Sequence, residues 1–183
     1  MKMIFSKRFA ILFAVFLVIF GVGMRFLPHQ WNFVPVAAIA LSTSAYFGFS
    51  YALGIVFVMM AVSDISLGFY DWRIMLAVYG SFLIIALMGL ILKKKRSVLL
   101  VLSTSFGGSM LFFFMTNFAV WLFSGMYLHT LAGLSACFVA ALPFFRGTLL
   151  GDLAFNALFF GIFETAIYLS SVRARTRFGV RIS

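Results

Sequence analysis

The sequence predicts an all-α integral membrane protein: a six-transmembrane-helix bundle forming one domain over residues 1–183. Three observations carry that reading. Apolar residues make up 64% of the chain and charged residues only 10%, where soluble domains have about 45–50% and about 25%. No water-soluble fold covers so much apolar surface, so the solvent is lipid. The apolar residues also fall in runs long enough to cross a bilayer, and the basic residues fall in short clusters between those runs, where they set orientation. A net charge of +10 would fit a nucleic-acid partner only if the cations lined an aromatic-rich polar surface, and these do not.

The elements follow in order. Residues 9–26 form an apolar run of 18 residues, about 27 Å as a helix. Its basic start resembles a signal peptide, but no small-residue cleavage pattern follows, so it is expected to stay as the first span. Residues 36–49 are apolar, rich in small residues and short, and are counted as the second helix. Residues 51–69 and 74–92 are full crossings, the latter ended by Lys93-Lys94-Lys95-Arg96. Residues 97–121 make the fifth, with Gly107-Gly108 marking a kink or a close helix approach. Residues 129–142 are less greasy and closed by Pro143, and residues 148–171 are the last crossing, followed by arginines at 173, 175, 177 and 181.

Charge decides how many of these seven segments cross. If 129–142 lies at or dips into the outer face, both termini are cytoplasmic. Three basic residues at the N-terminus, four at 93–96 and four at the C-terminus then share that side, eleven of the fourteen. Seven crossings would carry the C-terminal arginines outside, against the positive-inside bias. The expectation is therefore six helices, N-in and C-in.

That topology gathers the unusual polar groups on the outer side. Arg25, His29, Trp31 and Asn32 fall at the first outer loop, Asp64, Asp71 and Arg73 around the second, and Asn117, Trp121, Tyr127, His129, Arg146 and Asp152 around the third. Charges within or beside a membrane are costly and usually face a bundle interior or a watery cavity. Two readings stay open: Arg25, Arg73 and Arg146 clamp Asp64, Asp71 and Asp152, or some of them line a substrate cavity. Asp152 and Asn156 share a helical face. Glu164 lies 12 residues further on, about 18 Å deeper, and is expected inside the hydrocarbon bonded to a neighbouring helix. The three tryptophans read as an aromatic belt, with Trp31 alternatively stacking on a flat ligand. Ala10 and Ala14 form a small-residue pair on the first helix, as do Gly147 and Gly151 on the last. Cys137, the only cysteine, reads as a small buried apolar residue.

Several chemistries lack their residues. There is no phosphate-binding loop of the ATPase kind, no GxSxG frame and no metal-ligand spacing, the two histidines being 100 residues apart. No nucleophile–base pair points to an enzyme, and neither a cofactor nor a bound metal is expected.

Four motifs together carry a resemblance. Leu27-Pro28-His29-Gln30-Trp31-Asn32-Phe33-Val34-Pro35-Val36, Ser63-Asp64-Ile65-Ser66-Leu67-Gly68, Thr116-Asn117-Phe118-Ala119-Val120-Trp121 and Pro143 to Leu153 occur in order. They resemble the LPHxxNFxPV, SDxxLG, TNFxVW and PFFRxTLxGDL signatures of small bacterial inner-membrane transport-type proteins. That family is similar to the substrate-binding S components of energy-coupling factor (ECF) transporters, closest to the cobalamin-transporting, BtuM-like branch. The resemblance implies six helices, a vitamin-sized ligand at the outer face, and toppling of the subunit in the lipid bilayer to release it. It also implies an ECF coupling subunit and ATPase module as partners, with Ala10 and Ala14 as the docking pair. Part of that branch ligates cobalt through a cysteine between the third and fourth helices, and this chain has no cysteine between residues 49 and 92.

The expected function is thus a transporter subunit capturing a vitamin or similar micronutrient, with cobalamin or another corrinoid first. The expected contacts are His29, Trp31, Asn32, Asp64, Asn117, Arg146 and Asp152, apolar and aromatic groups holding ligand faces while a few polar groups read its edge. The alternative is a non-enzymatic scaffold or assembly protein of the cell envelope, in which the outer charges serve only as clamps.

Overall fold

The computed structural model describes residues 7–27 and 32–178. Among these the chain forms six helices: α1 Lys7–Phe26, α2 Val36–Tyr46, α3 Phe49–Leu67, α4 Trp72–Lys94, α5 Val98–Phe123 and α6 Leu131–Phe178. All but α2 are long and apolar enough to cross a membrane, so the protein is a multi-pass membrane protein. The described residues contain no strand, as expected where lipid offers the backbone no hydrogen bonds and each segment must satisfy its own.

The helices run between two ends. Tyr46, Gly48, Lys93, Arg96 and Glu164 mark the basic end. There the Tyr46 hydroxyl donates to Glu164 Oε1 at 2.7 Å, and the Lys93 ammonium lies beside Gly48. At the far end lie the α3–α4 turn, Gly68 to Asp71, and the α5–α6 turn, Ser124 to Thr130. α1 and α3 run parallel, Gly21 facing Met59 and Arg25 reaching Asp64. α4 and α5 run antiparallel, with Phe82 stacked on Phe112 at 5.1 Å between centroids. α5 and α6 form a long antiparallel hairpin from Asn117–Cys137 at the far end to Arg96–Glu164 at the basic end.

α2 is the axis of the bundle. Ten of its eleven residues are buried, and it touches all five other helices. A helix enclosed all round needs no polar stripe, and its sequence of Ala, Ser and Thr keeps its neighbours close. The hydroxyl of Ser42 is absorbed by donating to Ala38 O at 2.6 Å. The closest approach is at Gly89 of α4, where a β-carbon would stand 2.5 Å from Leu41 O and 2.7 Å from Ser44 Cβ. Phenylalanines close the ring on the other side: Phe20 of α1 packs edge-on against Phe155 and Phe159, and Phe13 against Phe163.

Two expectations are corrected. The 36–49 run does not form a crossing helix: α2 stops at Tyr46 after 11 residues, about 16 Å, too short to cross a bilayer by itself. Residues 129–142 are not a separate piece at the outer face. They are the start of α6, which continues through Pro143 for 48 residues, about 72 Å. Proline removes one backbone donor, and lipid penalises every further unpaired group, so the helix continues rather than breaking. Because α6 begins so early, Glu164 lies well past its middle and, as expected, bonds to a neighbouring helix, accepting from Tyr46 of α2. It sits at the basic end, ion-paired with Arg96 at 2.7 Å.

Candidate substrate cavity at the far end

Residues 32–35 lead into the start of α2. Asn32 opens that segment with a left-handed backbone, φ 66°, a conformation asparagine tolerates better than most side chains. The segment then packs against α6, where Gly151 lets the Phe33 and Val34 backbone approach. Pro35 caps α2 without a side-chain bond, so the positive end of the α2 dipole is set partway along the bundle.

Above that helix start lies a cavity of about 370 Å³, lined by Arg25, Asn32, Val36, Tyr70, Phe112 and Thr116 among others. A second space of about 190 Å³ adjoins it between α5 and α6, sharing Asn32, Phe112 and Thr116 and adding Asn117, Phe145 and Thr148. Asn32 is the hinge between the two, its amide donating to Thr148 Oγ1 at 3.4 Å. Most of the lining is apolar and the polar groups are few, the pattern of small-molecule sites.

Arg25 supplies the cation. Its guanidinium donates to Asp64 Oδ1 at 2.7 Å and also touches the Met60 sulfur. Asp64 is 1% exposed, and its other oxygen accepts from the Tyr79 hydroxyl at 2.8 Å. The carboxylate therefore stands behind Arg25 and holds it at the cavity wall. Burial, then the nearby Asp64 charge, pushes the Tyr70 phenol above its ordinary range, so it faces the cavity as a neutral donor. At the rim Asp71 caps α4, accepting from the Arg73 backbone at 2.8 Å and its guanidinium at 2.6 Å. Those bonds hold the Asp71 carboxyl down at about 2.

The seven expected contact residues are thus dispersed. Asn32 and Asn117 line the two spaces, and Asp64 acts through Arg25. Asp152 is buried between α5 and α6, bonded to Ser109 at 2.6 Å, and lines neither space. Arg146 is exposed on α6 and makes no ion pair among the described residues, so its expected clamp with Asp152 is not formed, whereas Arg25–Asp64 and Arg73–Asp71 are. His29 and Trp31 lie outside the described residues. Of the docking pair, Ala10 is buried and Ala14 half-buried beside a shallow groove between α1 and α3. Cys137 is buried, its thiol donating to Asn117 O at 3.4 Å.

Sequence reasoning missed Tyr70, Phe112 and Thr116. Thr116 was within sight, since it opens the motif that contains Asn117. Tyr70 is a lone residue in a turn, and Phe112 is one of 26 phenylalanines with nothing to single it out.

No curated protein and no solved structure matches the chain. A family model does, over residues 5–175, nearly the whole length. The chain belongs to that family, DUF6580, a family of unknown function.

Proposed function

We propose that the protein is the substrate-capturing subunit of a membrane transporter of the ECF S-component kind, taking up a vitamin-like micronutrient. The observation that carries the reading is the cavity of about 370 Å³ over the start of α2. It is apolar apart from a cation held in place by Asp64, a phenol, an asparagine and a threonine. A scaffold has no use for an open polar-edged space at that position, whereas a binding subunit is defined by one.

In this reading the basic end faces the cytoplasm of a bacterial inner membrane, because it collects Lys93 to Arg96. The cavity then opens outward, and the chain makes six passages, α2 serving in the second. A separate coupling subunit with its ATPase module supplies energy, docking along α1 near Ala14. The motif resemblance makes a corrinoid the first ligand to test. The size of the cavity, about 370 Å³, favours a second, a single-ring vitamin.

The test is purification from cells in a ligand-retaining detergent, followed by mass spectrometry, with direct binding of cyanocobalamin in parallel. A small molecule co-purifying with the wild type and lost from Thr116→Phe, which fills the space shared by both cavities, is the expected result. A protein free of any such molecule, binding no vitamin from a panel, refutes the proposal.

A further inference from the structure

We propose that Asp152, Asn156, Ser105 and Ser109 form a binding site for one monovalent alkali cation between α5 and α6. The site is distinct from the far-end cavity and does not depend on its ligand. Asp152 and Asn156 lie one turn apart on α6, each 2% exposed. Ser105 and Ser109 lie one turn apart on α5, 3% and 0% exposed. The two pairs face each other as a ladder: Ser109 Oγ meets Asp152 Oδ2 at 2.6 Å, and Asn156 Nδ2 donates to Ser105 Oγ at 2.9 Å.

Two deficits remain in this ladder. The first is charge. Among the described residues no arginine, lysine or histidine pairs with Asp152. The neighbouring groups carry no charge either: Phe33 and Val34 press on Gly151, and Phe155 packs on Phe20 and Phe33. On the two helices themselves the nearest charged side chains are Arg146, exposed and six positions away, and Glu164, twelve positions away and already paired. An isolated carboxylate at this depth, about 18 Å along α6 from Glu164, is costly.

The second deficit is an orphan acceptor. Asn156 Oδ1 is buried without a hydrogen-bond partner. Turning the amide over would let Ser105 donate to Oδ1 and would leave the NH₂ group orphaned instead. A proton on Asp152 would cure the charge, and would satisfy the amide only where it sits on the carboxyl oxygen facing Asn156 Oδ1. A cation held by the Asp152 carboxylate, Asn156 Oδ1 and the serine hydroxyls cures both. All the donors are hard oxygens, which suit alkali or alkaline-earth ions rather than zinc or copper. One carboxylate balances one positive charge, and the described residues hold no group of three or more His, Cys, Asp or Glu for a higher charge.

The experiment uses the purified full chain in detergent. Thermal unfolding is followed as choline chloride is replaced by sodium or potassium chloride at fixed ionic strength, and binding of ²²Na⁺ is measured by equilibrium dialysis. The expected result is a saturable rise in Tm in an alkali ion over choline, and about one bound ²²Na⁺ per chain, competed by the preferred ion. Asp152→Asn should abolish both, and Asn156→Leu should weaken the affinity roughly tenfold or more. Identical melting in sodium, potassium and choline with no bound isotope overturns the site and leaves Asp152 as a proton-bearing clamp. Retention of the full response by Asp152→Asn overturns it as well. If Asp152→Asn does not fold, Asn156→Leu decides: unchanged affinity refutes, and the tenfold loss supports.

Discussion

Replacing Gly89 by alanine tests whether α2 is the tightly held axis of the bundle. The new methyl carbon would stand 2.5 Å from Leu41 O and 2.7 Å from Ser44 Cβ. Neither atom is the end of a flexible side chain, so α2 and α4 must separate. Overpacking of this kind costs about 1–3 kcal/mol, and a backbone contact places it at the upper end. Alanine also gains about 1 kcal/mol of helix propensity over glycine. The net expectation is a loss of about 1–2 kcal/mol. Gly80, on the same helix, is the internal control: a β-carbon there meets nothing within 4 Å, so Gly80→Ala should be neutral or stabilising by up to about 1 kcal/mol. The assay is equilibrium unfolding of both variants in mixed detergent micelles by increasing SDS fraction, read by circular dichroism. Equal stability of the two variants, within about 0.5 kcal/mol, would refute the close α2–α4 contact and with it the central position of α2.

Three further outcomes are expected. Asp64→Ala leaves Arg25 and Tyr79 without their acceptor and should cost about 3 kcal/mol in the same assay, the low end for breaking a buried pair because Arg25 still reaches the cavity; a loss below about 1 kcal/mol contradicts it. Asn32→Val should cost roughly 1–2 kcal/mol because a β-branched residue resists the left-handed backbone, while Asn32→Gly should not; equal effects in thermal melts would show that φ is not the constraint. The Asp71 carboxyl is held at about 2 against an ordinary 3.8, so its contribution to capping α4 is fully present above about pH 4 and lost as pH falls through about pH 2. A titration of wild-type stability against Asp71→Asn should show the two curves converging over that window, and parallel curves would exclude the role.

How much of this was legible in the sequence depended on what each signal measures. Long apolar runs report burial in lipid, and four of the long helices, α1, α3, α4 and α5, were placed to within two residues. The 36–49 run looked like another of them because a helix buried on every side has no period to betray its length or its surroundings. Pro143 read as a stop because in water it usually is one, whereas in lipid the unpaired backbone that a break exposes costs more than the single lost bond. The Arg25–Asp64 and Arg73–Asp71 clamps were among the combinations that charge counting offered. The partnership of Asp152 with Ser109 was not, since nothing in a sequence fixes how two helices 43 residues apart are aligned. The cavity was foreseen only where polarity marked it: Asn32 and Asn117 stood out against an apolar background, and Phe112 did not.

The shortness of α2 bears on how the chain enters its membrane during synthesis. α1 and α3 point the same way, so the ribosome must deliver two successive hydrophobic segments in one orientation, with a stretch between them that an insertion channel would not accept as a span of its own. Eleven residues, alanine, serine and threonine with three aliphatics and one tyrosine, partition too weakly to hold the return path until α4 arrives to grip it at Gly89. The first half of the protein therefore reaches its final threading only once the second half has been made, and chains truncated after α3 should be recovered with α3 inverted.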